Sequence, residues 1–223
     1  IFAIIIAIYT IMGGFTSVAT NDLIQSIVMS IALVSIVTFG VSSAGGLDAV
    51  MDNARSLPGY FSLSAIHDAV AGTAIPYSAL SAVSLLAWGI GYFGMPHILV
   101  RFMAIEDEKK LVLSRRVASI WVTFAMGIAI FIGVVGLGVV NAGGMEALED
   151  SERVIIALTS VLSQNGFLAA VLGGVILAGI LAATMSTADS QLLVAASGVS
   201  ENIIQDFLGK KLTERQGVLV ARG

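Results

Sequence analysis

The chain has 223 residues, 57% of them hydrophobic and only 12% charged, with a formal net charge of −4 and a mean hydropathy of +0.97. About 25% charged residues is usual for a soluble domain, so an ordinary globular protein is excluded, and the acidic balance leaves no basic surface for nucleic acid. The absence of cysteine excludes disulfides, thiolate metal sites and cysteine nucleophiles.

Crossing about 30 Å of hydrocarbon takes about 20 apolar residues in a helix. Ile1–Met12 reads as the trailing part of one such span, closed by Gly13 and Gly14. A second span is expected over about Leu23–Val41, followed by a polar loop, Ser42–Pro76, with room for a short helix. The third, about Tyr77–Leu99, carries Gly89, Gly91, Gly94 and Pro96, and leads into the charged connection Arg101–Arg116. A fourth span covers about Val117–Val140, and Asn141–Asn165 reads as an acidic loop. The fifth begins near Gly166 and stays helix-compatible to about Ser197. The last segment, Glu201–Gly223, is polar and holds Lys210, Lys211, Arg215 and Arg222.

Together these make an all-α polytopic membrane protein with one transmembrane domain over residues 1–223. The chain opens in mid-run at Ile1 and stops at VLVARG, so it reads as an internal piece, truncated at both ends. Lys and Arg concentrate in cytoplasmic loops. Arg101, Lys109, Lys110, Arg115 and Arg116 therefore put that connection inside, with the basic tail, while Ser42–Pro76 and Asn141–Asn165 fall outside.

The fifth span is the most informative. Gly174, Ala178, Ala182, Ser186 and Ser190 recur every fourth residue, beside a stripe of Gly179, Ala183 and Thr187. Small residues in lipid let another backbone come close, and hydroxyls and a carboxylate on such a face are costly unless something binds them. Residues three and four apart share a helix face, so the Ala183 carbonyl lies beside the Ser186 and Thr187 hydroxyls. Three neutral oxygens suit a monovalent hard cation such as Na⁺, whereas a divalent ion demands carboxylates or many more oxygens. The alternative is that both hydroxyls bond back to carbonyls one turn earlier, a common habit of Ser and Thr. Asp189 and Ser190 continue the face one turn further, as a second ion position or a solvated boundary. Asp22 opens the second span near the same side, as part of an ion path or as a helix N-cap with Gln25 completing a capping box.

Three Gly and a Pro within eight residues of the third span predict a discontinuous helix, since Pro costs about 3 kcal/mol in a helix interior. Broken spans free backbone groups for solute and ions. Trp88 and Tyr92, four apart, form either a flat wall with two polar tips or a packing pair. His97 reads as structural, and it lies too far from His67 in sequence for a local metal motif. No motif for covalent chemistry or ATP use is present, so no catalytic residue is assigned.

The stretches YTIMGGFTSVATNDLIQ, WGIGYFGMPHILVRFMA, SERVIIAL and ILAATMSTADSQLLV resemble the sodium:solute symporter family, in particular its sodium/proline symporters. The resemblance implies an all-helical core of two inverted five-helix repeats and Na⁺-driven solute uptake at the cytoplasmic membrane. It implies that Ala183, Ser186 and Thr187 bind Na⁺, and that Asp22 handles Na⁺ on the inner side. It implies a region for a second Na⁺ or ion exit at Asp22, Asp189 and Ser190. It also implies solute contacts, for proline or a related amino acid, from Trp88, Tyr92 and Pro96. Two positions depart from the pattern: Asp189 replaces a hydroxyl residue, and Met95 a polar one. A sensor domain of a signalling kinase and a sodium symporter for another organic solute are the alternatives, and a passive cation channel fits the broken helix poorly.

Overall fold

Apolar sequence without interior proline folds into long helices here, and the breaks fall where glycine or proline demands them. The computed structural model describes residues 2–68 and 71–207, with 209 and 216. Lys210, Lys211, Arg215 and Arg222 of the expected basic tail lie outside the described residues. The first helix, α1, runs Phe2–Ser43 with one non-helical residue, Gly14, at φ 56° and ψ −150°. Only glycine reaches that conformation readily. The gap between the first two expected spans therefore shrinks to this one break, and the helix is under way well before Leu23.

Between α1 and the third span the polar segment folds into α2, Leu47–Ser56, and an unexpected hairpin of β1, Ala65–Asp68, and β2, Thr73–Pro76. The two strands pair antiparallel from Ala65↔Pro76 to Asp68↔Thr73. Next come α3, Ala79–Gly91, and α4, Pro96–Met103, joined by a tight 3₁₀ turn at Tyr92–Gly94. Helix α5, Glu108–Asn141, is long enough to carry its basic first turns beyond a membrane core, at about 1.5 Å per residue.

The expected acidic loop after α5 contains another helix, α6, Val154–Ser163. Its acidic residues are confined to the approach, where Asp150 accepts a hydrogen bond from the Glu152 N–H, and the following VIIALTSVL buries Leu158 and Leu162. Helix α7, Phe167–Ser197, continues into a wider π-helical stretch, Gly198–Phe207.

Gly13–Ser43, Glu108–Asn141 and Phe167–Ile204 are long and apolar enough to cross a membrane. Ala79–Gly94 and Pro96–Met103, bent by 46°, form a fourth crossing if taken as one span. The core lies where α1, α5, α6 and α7 meet and includes Ile36, Ile132, Val135, Leu158 and Ile176. Val50 and Ala54 cover one end of it from α2. Among the glycines of α5, Gly136 and Gly138 lie against Val154 and Val50, while Gly127 and Gly133 have open space around them.

Candidate functional site

The small residues of α7 are spent on α1. A Cβ built on Gly179 would lie 2.8 Å from the Ala32 Cβ and 3.7 Å from the Met29 Cα, so glycine permits this approach. Gly174, one turn before Ala178, has nothing within 4 Å, so the close contact begins later than the repeat suggests. Gly179, Ala182, Asp189 and Ser190 are buried. The two helices run antiparallel, because Gly179 meets Ala32 while Ser190 lies near Asp22. That is the relative direction the Lys and Arg counts require.

Beside this seam Ser186 Oγ donates to the Ala183 carbonyl at 3.3 Å, and Thr187 Oγ1 to the same oxygen at 3.5 Å; Ser186 is half-buried, whereas Ala183 and Thr187 are exposed. Ordinary O–H···O bonds are about 2.7–2.8 Å, and the neighbouring Ser190 Oγ reaches the Ser186 carbonyl at 2.9 Å. The hydroxyls thus do bond back, but loosely, and their oxygens gather at one carbonyl. Each can turn its lone pairs towards a cation at little cost. Ala183 also borders a cavity of about 470 Å³ between α1, α5 and α7, walled by Met29, Ile36, Trp121 and Ile176 among others. Its walls are almost wholly apolar, which suits hydrocarbon far better than a charged solute.

One turn further along α7, three helices share one ionic cluster. Arg101 of α4 donates through Nη2 to Asp22 Oδ2 of α1 at 2.5 Å and to Ser190 Oγ of α7 at 2.5 Å. A cavity of about 40 Å³ at this junction is lined also by Val18, His97 and Leu193. Asp189 is fully buried and acts electrostatically on Asp22. Asp22, Asp189 and Ser190 therefore lie at one junction. The guanidinium already occupies the space between Asp22 and Ser190, so a second Na⁺ there has to displace it.

The N-cap role of Asp22 is overturned. Gly14 is the only non-helical residue inside α1, so Asp22 sits in the helix interior and forms no capping box with Gln25. The residue that sequence reasoning missed is Arg101, which counted only as a cytoplasmic loop charge. Its place one residue from the end of the Pro96–Val100 run was the available signal, but its partners lie 79 and 89 positions away.

The break in the third span has a local cause. Proline disfavours helical backbone in the residue before it, and Met95 is extended at φ −80° and ψ 114°. Pro96 then begins α4, where its missing N–H costs nothing. Trp88 and Tyr92 pack edge to face, with ring centroids 5.3 Å apart and planes at 85°. Both are exposed, at 68% and 42%, and no residue of α3 is buried. The structure thus does not bring Trp88 and Tyr92 against Ala183, Ser186 and Thr187. Pro96 is linked to the seam through its own helix and Arg101.

A family model described as the sodium:solute symporter family matches residues 1–222. The osmoregulated proline transporter OpuE of Bacillus subtilis is 32% identical over 218 residues, which is 98% of this chain and 41% of the relative. Sodium/proline symporter 2 of Staphylococcus saprophyticus is 34% identical over 223 residues, 99% of this chain and 40% of the relative. The high-affinity proline transporter PutP of Bacillus subtilis is 34% identical over 220 residues, 98% and 43% respectively. This chain thus spans about two-fifths of the length of these relatives. No solved structure matches it significantly.

Proposed function

Because this chain belongs to the sodium:solute symporter family, we propose that it serves sodium-coupled symport of proline or a related amino acid across the cytoplasmic membrane. The observation that carries this reading is the gathering of the Ala183 carbonyl, Ser186 Oγ and Thr187 Oγ1 on one side of α7, beside its seam with α1. Neutral oxygens there favour Na⁺ over a divalent ion. Among the described residues no cluster of three or more acidic or histidine ligands forms that could hold a metal ion. The names of the three relatives support proline as the solute.

In this reading Na⁺ is held by Ala183, Ser186 and Thr187 and leaves inward past Asp22, Asp189 and Ser190. Arg101 closes that mouth by joining α1, α4 and α7. The solute binds at the break between α3 and α4. Trp88 and Tyr92 supply an apolar wall for a pyrrolidine ring, and the positive end of the α4 dipole at Pro96 favours the solute carboxylate. Movement of α4 is felt at both places, since one end of the helix meets the break and the other carries Arg101.

The energy available is sufficient. One Na⁺ moving through 100 mV contributes about 2.3 kcal/mol, and a tenfold gradient adds about 1.4 kcal/mol. Together these support roughly 500-fold solute accumulation, at about 1.4 kcal/mol per tenfold. The test is uptake of labelled proline by the intact transporter in proteoliposomes, with an inward Na⁺ or K⁺ gradient and unlabelled amino acids as competitors. Na⁺-dependent accumulation that proline competes away is expected. Equal uptake in K⁺ rejects sodium coupling, and failure of proline to compete rejects the solute.

A further inference from the structure

Basic residues gather where α4 passes into α5, and only some of them have partners. Arg101 is tied to Asp22, and Lys110 to Glu106 at 2.8 Å. The side chains of Lys109, Arg115 and Arg116 have no acidic partner among the described residues, and all three residues are exposed. At 3.6 residues per turn, Lys109, Leu113, Arg116, Ile120 and Gly127 of α5 fall within an arc of about 60°. Leu113 and Ile120 are 64% and 72% exposed, and a Cβ built on Gly127 would have nothing within 4 Å. Further along, the same arc closes: Val134 is buried and Gly138 lies against Val50. From Arg116 to Gly127 is about 16 Å along the axis, close to half of the roughly 30 Å hydrocarbon core. Helix α5 thus presents an open apolar stripe one leaflet long, headed by two unpaired cations. Helical side chains lean toward the N-terminus, here the cytoplasmic side by its Lys and Arg content, so both cations reach the headgroup layer.

We propose that this stripe binds an anionic phospholipid of the inner leaflet, its headgroup phosphate on Arg116 and Lys109 and an acyl chain along Ile120 to the notch at Gly127. The inference rests on the inward orientation of this end and not on the ion or solute sites. Charge complementarity selects the occupant. An apolar helix would cover Leu113 and Ile120 and leave two cations unmatched, whereas an anionic phospholipid matches both parts of the stripe. The guanidinium offers a planar fork to phosphate oxygens, and the cytoplasmic leaflet is the one that carries anionic headgroups. Arg115 lies about 100° around the helix from Arg116, so it falls off the stripe. A lipid held here steadies the start of α5, which residues 104–107 join to α4 and its Arg101.

The experiment uses the purified intact transporter in phosphatidylcholine nanodiscs, doped with phosphatidylglycerol that carries a photoreactive diazirine at the end of one acyl chain. Mass spectrometry locates the labelled peptides in the parent, Arg115→Gln, Arg116→Gln and the Lys109→Gln plus Arg116→Gln double variant. These exposed substitutions leave the fold intact. Label is expected within residues 120–130 of the parent. At limiting lipid, Arg116→Gln is expected to lose about fivefold and the double variant about 25-fold, at about fivefold for each basic residue. Arg115→Gln, which removes the same charge as Arg116→Gln, should label as the parent does. Equal losses for Arg115→Gln and Arg116→Gln mean a diffuse field rather than a site, and overturn the proposal. Photoreactive phosphatidylcholine that labels as strongly as phosphatidylglycerol also overturns it, since only apolar contact then remains. Label elsewhere in the protein but none on residues 120–130 means that another helix of the intact chain covers the stripe, and refutes it. Excess glycerol phosphate should not displace the label, and displacement would identify a site for free phosphate instead of lipid.

Discussion

The seam between α1 and α7 and the broken pair α3–α4 carry the two halves of the proposed site, yet they are built in opposite ways. The seam is specified by close approach, with Gly179 against Ala32 and Ala182 and Ser190 buried, and the Ala183, Ser186 and Thr187 oxygens lie along its more open edge. Helix α3 buries none of its residues, and its aromatic pair, Trp88 and Tyr92, packs on itself. A cation of fixed radius needs oxygens held at fixed distances, which a packed seam provides. A flexible organic solute needs a surface that can close on it, and a helix with a break is free to move. Under the proposed function, ion and solute are thus recognised by separate pieces of the fold, joined by α4 and Arg101.

The strongest way to break this comparison is to force the seam apart. Gly179→Val places methyl groups where the Ala32 Cβ already stands, and overpacking of this kind costs about 1–3 kcal/mol. Thermal unfolding should show that loss, and ²²Na⁺ binding should fall with it. Gly174→Ala, which meets open space, should change stability by less than about 0.5 kcal/mol. Equal costs at the two glycines would mean that the close contact is not what holds the seam.

Next in size, Trp88→Ala and Tyr92→Ala should each weaken proline binding by about tenfold or more, in keeping with the roughly 1.4 kcal/mol or more lost with an aromatic anchor. Na⁺ affinity measured without proline should stay at the parent value. If both substitutions instead weaken Na⁺ binding as much as proline binding, the aromatic pair belongs with the seam in the intact protein and the two-part division fails.

The smallest effect is expected at Arg101. Its side chain is 47% exposed, so solvent screens the charge and its main contribution is to tie three helices. Arg101→Gln should raise half-saturating Na⁺ about threefold, within the roughly 1 kcal/mol that exposed ion pairs contribute. Arg101→Lys should recover only part of this, because an ammonium lacks the planar fork that reaches two acceptors. A gain in Na⁺ affinity on Arg101→Gln would show that relief of repulsion outweighs the tie.

How far the sequence alone carried these conclusions depends on the range of the interaction involved. The break at Met95 and Pro96 was legible because its cause lies in two adjacent residues. The small face of α7 was legible because period four on a helix is a local property, although Gly174 proved to be open and Gly179 to be the contact. The N-cap alternative for Asp22 failed for the same reason in reverse. A Gln three residues on made a plausible local cap, while its partner, Arg101, is 79 residues away. Helix α6 was hidden behind the acidic run Glu146–Glu152, whose charge masked the apolar stretch after it. The β1–β2 hairpin has strands of four residues each, too short for alternation to stand out.

The most direct measurement is ²²Na⁺ binding to purified intact transporter in the Ser186→Ala plus Thr187→Ala double variant, with Trp88→Ala beside it. Each hydroxyl that meets the ion should be worth about 1–1.5 kcal/mol. The double variant should therefore need about a hundredfold more Na⁺ for half-saturation, while Trp88→Ala binds Na⁺ as the parent does. A double variant with the parent's Na⁺ affinity would contradict the assignment of the cation to the α1–α7 seam.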